Sequence, residues 1–432
     1  MNRIPRFCRL WLLPAFAAAL FVACRPVIRP APQPKAVQTL TVLYAGNIDW
    51  TRLPELATML KTEKPALSII EGEILDQGPV AWLFQGRAEC EALAGTGVDA
   101  VRMTPAFLSL GTKTARHLAD SVLPPVFLLS ADVLDTTRQP AFGASFLRKT
   151  SMTRNGSLRL GLIGLAGDQD NLFWRQAGIS KENPDSAYRR LVPVLKMTSD
   201  VVGVAVNPAT PDVACPGADF VIGSRAAPLP ASGTAVNRLE LELDARNQVV
   251  RTRVTSLDLT RVKPDSAVAG IVSRYQHEAD SLLKRKINDA LVELDEKTLT
   301  KMALKTAPSR VHAEGALFGN SLSLKPLATG EITLARLFDI TGAGNRLLKL
   351  GIEGLEFEQG LTRGEPGVEW RSILKHQRIM LHRQYDIVTT LDYVIAHPLL
   401  MQRRLDFLPM SLAEIYAYAL RDRGKAKPDT LE

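Results

Sequence analysis

Histidine is scarce in this chain: six occur among 432 residues, and five of them (His277, His312, His376, His382 and His397) lie beyond residue 262. The sixth, His117, falls in a helical pattern, where a surface histidine is the simpler reading. The N-terminal half therefore cannot build an imidazole-rich metal centre. Cysteine is scarcer still. Apart from Cys8 and Cys24 near the start, only Cys90 and Cys215 remain, and no CxxC occurs, which argues against a cysteine-based metal site. Those two can pair in an oxidising compartment or stand as buried thiols, and the spacing leaves both open. Blocks of like charge are missing too. The formal net charge is +8, of which Arg3, Arg6 and Arg9 supply three in a segment expected to be removed, leaving +5 spread among acids. That is too mild and too dispersed for a nucleic-acid partner. No internal repeat is present.

What is there begins with a basic head (Arg3, Arg6, Arg9), the apolar run Leu10–Ala23, and Cys24. The run is too short to span a membrane as a helix and has the make-up of a secretory signal. Phe21-Val22-Ala23-Cys24 resembles the lipobox of bacterial lipoproteins, which implies that Cys24 becomes an acylated first residue and ties the chain to a membrane. Ordinary secretion, with Cys24 merely near the cut, is the alternative. Arg25 stands where Asp would favour the inner membrane of a Gram-negative cell, so the resemblance points to the outer membrane and a periplasm-facing body. Pro26, Pro30, Pro32 and Pro34 then punctuate residues 25–38. Such a segment prefers an extended conformation of about 3.1 Å per residue and reads as a tether.

With 46% hydrophobic and 23% charged residues over this length, two cores are expected. Apolar runs at 39–45, 66–70, 98–103, 126–131, 158–165, 201–206 and 220–222 read as strands. Helical spacings lie between several of them, at Leu53–Lys61, Ala88–Ala94 and Ala187–Lys196. Strands alternating with helices argue for an α/β layered domain. Asn237–Asp244 and Val249–Asp258 alternate instead and read as a hairpin closing that domain near Val262. Pro264-Asp265-Ser266 can cap a long amphipathic helix, read as a rigid connector. A second α/β body follows, with helices at 296–304, 334–338 and 412–420 and strands near 316–318 and 386–391. The expected organisation is a signal peptide at 1–24, a tether at 25–38, a first domain at 39–262, a connecting helix at 263–290 and a second domain at 291–432.

The strand Thr39–Ala45 breaks at Gly46-Asn47, and ligands of open α/β sheets bind at such C-terminal strand ends. Asn47 and Asp49 are thus the first candidate site residues. Further strand-end segments, taken in order and spacing, resemble the bacterial 5′-nucleotidase family. They are Gly72-Glu-Ile-Leu-Asp-Gln-Gly78, Gly97-Val-Asp-Ala-Val, Leu128-Leu-Ser-Ala-Asp132, Leu160-Gly-Leu-Ile-Gly-Leu165, Gly330-Glu-Ile-Thr333 and Tyr385-Asp-Ile-Val-Thr-Thr-Leu-Asp-Tyr393. The resemblance implies a layered metallophosphoesterase-like sandwich domain, a connecting helix and a second α/β domain of 5′-nucleotidase C-terminal type.

It also implies a chemistry: two divalent ions, held by Asp, His and Asn, activating water toward phosphorus. Position by position, the ligands depart from that pattern. Asn47 and Asp49 stand where the family has Asp and His, Glu73 where it has Asp, and Pro105-Ala106-Phe107 where it has Asn-His-Glu. Asn207 replaces a His, and Arg225 and Ala227 fall in the closing Gly-His-x-His segment. A fixed cation at a ligand position repels a divalent metal, so Arg225 is expected to pair with Asp49 or Glu73 in the metal's place. In the second domain, Asn320, Lys325 and Asn345 are the candidate ligand-binding residues. Lys325 can attract a phosphate but lacks the fork of an arginine. The expectation is an envelope lipoprotein that has lost its metal centre, holds no cofactor, and acts by binding an envelope protein or a small phosphate or nucleotide ligand. The alternative is an active phosphohydrolase holding Mg²⁺ or Ca²⁺ through Asp49, Glu73 and Asn207, since those ions prefer oxygen.

Overall fold

Buried β-branched and aliphatic runs make two sheets that face each other in the first half of the chain. The computed structural model describes residues 38–71, 78–153, 156–167, 179–207, 215–224, 227–230, 232–319, 325–342, 345–356, 370–374, 380–396, 400 and 403–423, with the backbone alone at 106, 319, 370–374, 395–396 and 423. Strands in the first half are β1 (Gln38–Ala45), β2 (Leu67–Glu71), β3 (Ala100–Arg102), β4 (Phe127–Leu129), β5 (Val133–Leu134), β6 (Phe146–Thr153), β7 (Gly156–Gly164), β8 (Ser180–Lys181), β9 (Val201–Ala205), β10 (Phe220–Ile222), β11 (Ala235–Leu243) and β12 (Val249–Asp258). One sheet runs β12-β11-β1-β2-β3-β4, with β1 to β4 parallel, and the other runs β10-β9-β7-β6.

Alternation along each strand sorts side chains into layers. Leu40, Val42 and Tyr44 of β1 and Leu67 and Ile69 of β2 meet Leu158, Leu160 and Leu162 of β7 between the sheets. The opposite face of the first sheet, with Leu43, Ile70 and Val101, packs on the helices Leu53–Glu63 and Arg87–Thr96. The outer face of the second sheet packs on the helix Pro184–Thr198 through Tyr188, Leu191 and Leu195. The result is a helix, sheet, sheet, helix sandwich. Edge strand β6, Phe-Leu-Arg-Lys-Thr-Ser-Met-Thr, has too few apolar residues for its sequence to announce it. Both Cys90 and Cys215 are free thiols.

The helix Ser266–Leu283 is capped by Asp265, whose carboxylate accepts from Ala267 N and Val268 N at 3.1 and 3.2 Å. Val268, Val272 and Tyr275 bury into the core of the first domain, and Arg274 pairs with Glu91 at 2.7 Å. The helix thus lies against the first domain, and Leu283 at its end packs on the core of the second.

The second domain holds β13 (Lys286–Ala290), β14 (Gly315–Gly319), β15 (Gly330–Thr333), β16 (Arg346–Glu353), β17 (Trp370–Leu374), β18 (Gln384–Thr390) and β19 (Leu405–Ser411). Five of them form the sheet β17-β14-β18-β16-β19. One face, with Phe318, Leu347 and Val388, packs on the helices Glu296–Arg310 and Leu412–Arg423. The other, with Leu317, Leu348 and Ile387, joins the apolar cluster of the first domain. Arg346 crosses that contact. It is buried, its Nη1 donates to the Ser109 carbonyl, and its guanidinium lies 4.9 Å from the ring centre of Trp82. The Trp82 indole N–H donates in turn to Glu414 at 3.1 Å. Among the described residues no helix is long and apolar enough to cross a membrane.

Candidate functional site

Both sheets of the first domain end at one edge, and strand parity decides which side chains arrive there. Glu71 shares its face with Leu67 and Ile69, and Arg102 shares its face with Ala100, so both point into the space between the sheets. The parallel register sets Glu71 beside Arg102. Arg102 donates through Nη2 to Glu71 Oε1 and through Nη1 to the Leu165 carbonyl just past β7, the latter at 3.1 Å. Both side chains are buried, with 3% and 7% of their surface exposed.

Asp132 completes the cluster. Its carboxylate is buried and accepts from Ala166 N at 2.7 Å and Gly167 N at 3.2 Å. Burial pushes its carboxyl up to about 6, against the Ala166 N–H and the charge of Lys181, which pull the other way. Burial also draws the Arg102 guanidinium down to about 10, while the Asp132 charge acts upward. Arg102 therefore remains a cation at neutral pH, neutralising carboxylates that water does not reach. Taking such charges out of water is costly, and removing one partner from a buried pair costs about 3–5 kcal/mol.

Among the described residues, several apolar groups also lie at this edge. Gly46 is the next inward position of β1, and a Cβ there would come within 3.3 Å of both Leu229 Cβ and the Pro230 carbonyl. Phe107 is fully buried and meets Phe142 edge-on with ring centres 6.4 Å apart. Gly223, at φ +85°, turns the chain after β10 where a Cβ would strike the Val206 carbonyl at 2.3 Å. Its N–H donates to the Ala227 carbonyl at 2.9 Å, and the Ala227 methyl is buried.

The residues singled out from sequence take several places. Asn47 and Asp49 are exposed. Asp49 caps the short turn Trp50–Arg52, accepting from Thr51 N at 2.9 Å and Thr51 Oγ1 at 2.8 Å. It also lines a cleft of ≈ 590 Å³ with Trp50, Val80, Gln276, His277 and Asp280. Pro105 opens the helix Pro105–Ser109, which carries Ala106 in its first turn. Asn207 is buried just past β9. Lys325 is exposed, while Asn345 is buried at the entry to β16. Its carbonyl accepts from Leu412 N at 3.1 Å, and its Oδ1 has no hydrogen-bond partner among the described residues. Glu73, Arg225, Asn320 and Cys24 lie outside the described residues. So does the expected pairing of Arg225 with Asp49 or Glu73. Sequence reasoning passed over Glu71, Arg102 and Asp132 as site residues. The signal was a charge closing an otherwise apolar strand in Leu-Ser-Ile-Ile-Glu71 and Ala-Val-Arg102.

No family model matches the sequence, and neither does any curated protein. Solved structures do match the fold. A 5′-nucleotidase precursor from Thermus thermophilus superposes with a TM-score of 0.53 over 89% of this chain and 96% of its own, at 14% identity. A Staphylococcus aureus protein assigned as a 5′-nucleotidase, solved with α-ketoglutarate, superposes with a TM-score of 0.58 over 90% and 97%, at 12% identity. The fold is the two-domain 5′-nucleotidase fold. On that architecture the Arg102 cluster occupies the C-terminal edge of the sandwich, the edge at which open α/β sheets place their ligands. Among the described residues, no group of three or more His, Cys, Asp or Glu side chains converges to hold a metal.

Proposed function

We propose that this chain is a lipid-anchored cell-envelope protein that keeps the 5′-nucleotidase architecture as a binding body or scaffold and has given up hydrolysis. The observation that carries this reading is the Arg102–Glu71 pair, sealed between the sheets and tied to the Leu165 carbonyl. A dinuclear centre needs open oxygen or nitrogen ligands around two dications. Here the buried carboxylate that ends β2 is already taken by the Arg102 guanidinium, so it is not an open ligand for a dication. Asp49 is committed to a cap, Ala227 brings a methyl, and Pro105 and Ala106 start a helix. These residues do not fit a pair of divalent ions. In this reading the membrane is held through Cys24, and the occupant of the remaining surface is an envelope protein or a small phosphate or nucleotide ligand near Asn320, Lys325 and Asn345.

The test is phosphate release from a nucleoside monophosphate and from p-nitrophenyl phosphate with Mg²⁺, Ca²⁺, Mn²⁺ or Zn²⁺ added, alongside elemental analysis. Sub-stoichiometric metal and no metal-dependent release are expected. Two ions per chain with turnover would overturn the reading in favour of a phosphohydrolase using Asp49, Glu73 and Asn207. A nucleotide that raises the melting temperature without being hydrolysed would identify the ligand class.

A further inference from the structure

The edge of the sandwich opposite the Arg102 cluster carries exposed apolar side chains where a folded body would be expected to show polar ones. It is the edge at which β2, β3, β4, β9 and β10 begin, where β6 gives way to β7 and β11 to β12, and where the helix Pro184–Thr198 ends. Met152 near the end of β6 is 80% exposed, Met197 in the last helical turn 76%, and Phe127 at the start of β4 47%, with Val194 beside Met197 also exposed. Ion pairs hold these positions to one another. Phe127 N donates to the Asp99 carbonyl, and the Asp99 carboxylate takes Lys149 of β6 at 2.7 Å. On the far side Arg159, opposite Thr150 in the β6–β7 pair, bonds at 3.1 Å with Asp200, three residues beyond Met197.

The described chain also starts here. Gln38 opens β1 opposite Leu243, and its Nε2 donates at 2.9 Å to Asn247 in the β11–β12 turn. Three strand spacings of about 4.8 Å separate β1 from β4, and packed sheets lie about 10 Å apart, so Gln38 and these apolar side chains share one small face. Gln38 follows Cys24 by fourteen positions, a reach of at most about 50 Å.

We infer that this edge rests on the lipid surface that holds Cys24, with Met152, Met197 and Phe127 entering the boundary between headgroups and acyl chains. The inference rests on the lipid-anchor reading above and deepens it. Unbranched methionines and an aromatic ring suit that boundary, where a flexible apolar side chain needs no matching pocket. Seating this edge turns the Arg102 cluster and the second domain away from the membrane, because Ser109, which Arg346 grips, follows β3 at the opposite edge.

Full-length protein, in a Cys215→Ser background, is reconstituted into phosphatidylethanolamine–phosphatidylglycerol vesicles. An environment-sensitive fluorophore is attached at Met152→Cys, Met197→Cys or, as the distal control, Met380→Cys. Palmitate labelling of the parent and of Cys24→Ser is measured in parallel. Expected is label at Cys24, with a blue shift and quenching by nitroxide lipids at 152 and 197 and neither at 380. Labelled Cys24 with 152 and 197 as unquenched as 380 overturns the docking while leaving the anchor standing. Cross-linking between copies at 152 without lipid quenching overturns it in favour of a second copy as occupant. Absence of label at Cys24 overturns the anchor, and the docking with it.

Discussion

Two arginines are buried among the described residues, and they are held in opposite ways. Arg102 ends a strand and is met by carboxylates, Glu71 directly and Asp132 through its charge. Arg346 opens a strand and is met by an aromatic face and a carbonyl, with Glu414 one step away behind Trp82. The first is an ionic cluster inside one domain, and its partners become liabilities without it. The second is a seam between domains, and the Trp82 ring and Ser109 carbonyl that it meets are neutral groups that lose less when it goes. Where a cation sits among acids it sets the chemistry of an edge; where it sits among aromatics it sets the placement of one body on another.

Removing Arg102 is therefore expected to have the largest effect. Arg102→Met strands Glu71 in a dry space and costs about 3–5 kcal/mol, read as a lowered urea midpoint. The double variant Arg102→Met with Glu71→Leu recovers much of that loss, because apolar residues of similar volume can replace a buried pair. A double variant no more stable than Arg102→Met would show that the pair is not the element that holds this edge. Arg346→Ala is expected to cost less, about 2–3 kcal/mol, from a desolvated cation–π contact and a buried hydrogen bond. Trp82→Phe, which keeps a ring but loses the N–H to Glu414, costs about 1 kcal/mol.

The same comparison has a pH arm. A carboxyl whose folded value lies above its unfolded one takes up a proton on folding between the two, so its burial weighs against the fold at high pH and ceases to as pH falls. For Asp132 the folded value is about 6 against an ordinary 3.8. Lowering the pH from 7 toward 4 should thus stabilise the parent relative to Asp132→Asn, by about 1–3 kcal/mol. The Asn keeps one oxygen for the shorter bond, from Ala166 N, without the charge, and gives up the second oxygen that takes Gly167 N. Parallel pH profiles for the two proteins would assign the titration elsewhere.

Much of the fold was legible because buried parallel strands read as apolar runs and amphipathic helices lie between them; β1, β7 and the helix Pro184–Thr198 announce themselves in this way. Strands that alternate weakly, such as β6, or that pair only late, such as β19 with Leu-Asp-Phe-Leu-Pro-Met-Ser, carry no such run. The site was less legible for a geometric reason. Position-by-position correspondence of the strand-end loops points to Asn47, Asp49 and Glu73. What reaches the space between the sheets is instead decided by parity counted back along each strand, and that count selects Glu71 and Arg102. The guanidinium that the sequence points to, Arg225, lies outside the described residues.

Asp49 offers the smallest and sharpest contrast with Arg102. A carboxylate that served a buried charge cluster would be expensive to remove, whereas one that caps a turn is not. Thr51 takes both of its bonds, one from the backbone and one from the hydroxyl, so Asp49→Ala should cost about 1 kcal/mol. Asp49→Asn and Asp49→Ser, which still offer an oxygen to Thr51 N, should stay within a few tenths of the parent. If Asp49→Asn instead lost several kcal/mol, or changed the metal content of the purified protein, the carboxylate charge would matter in its own right, and the strand ends would have to be read again as an acidic site.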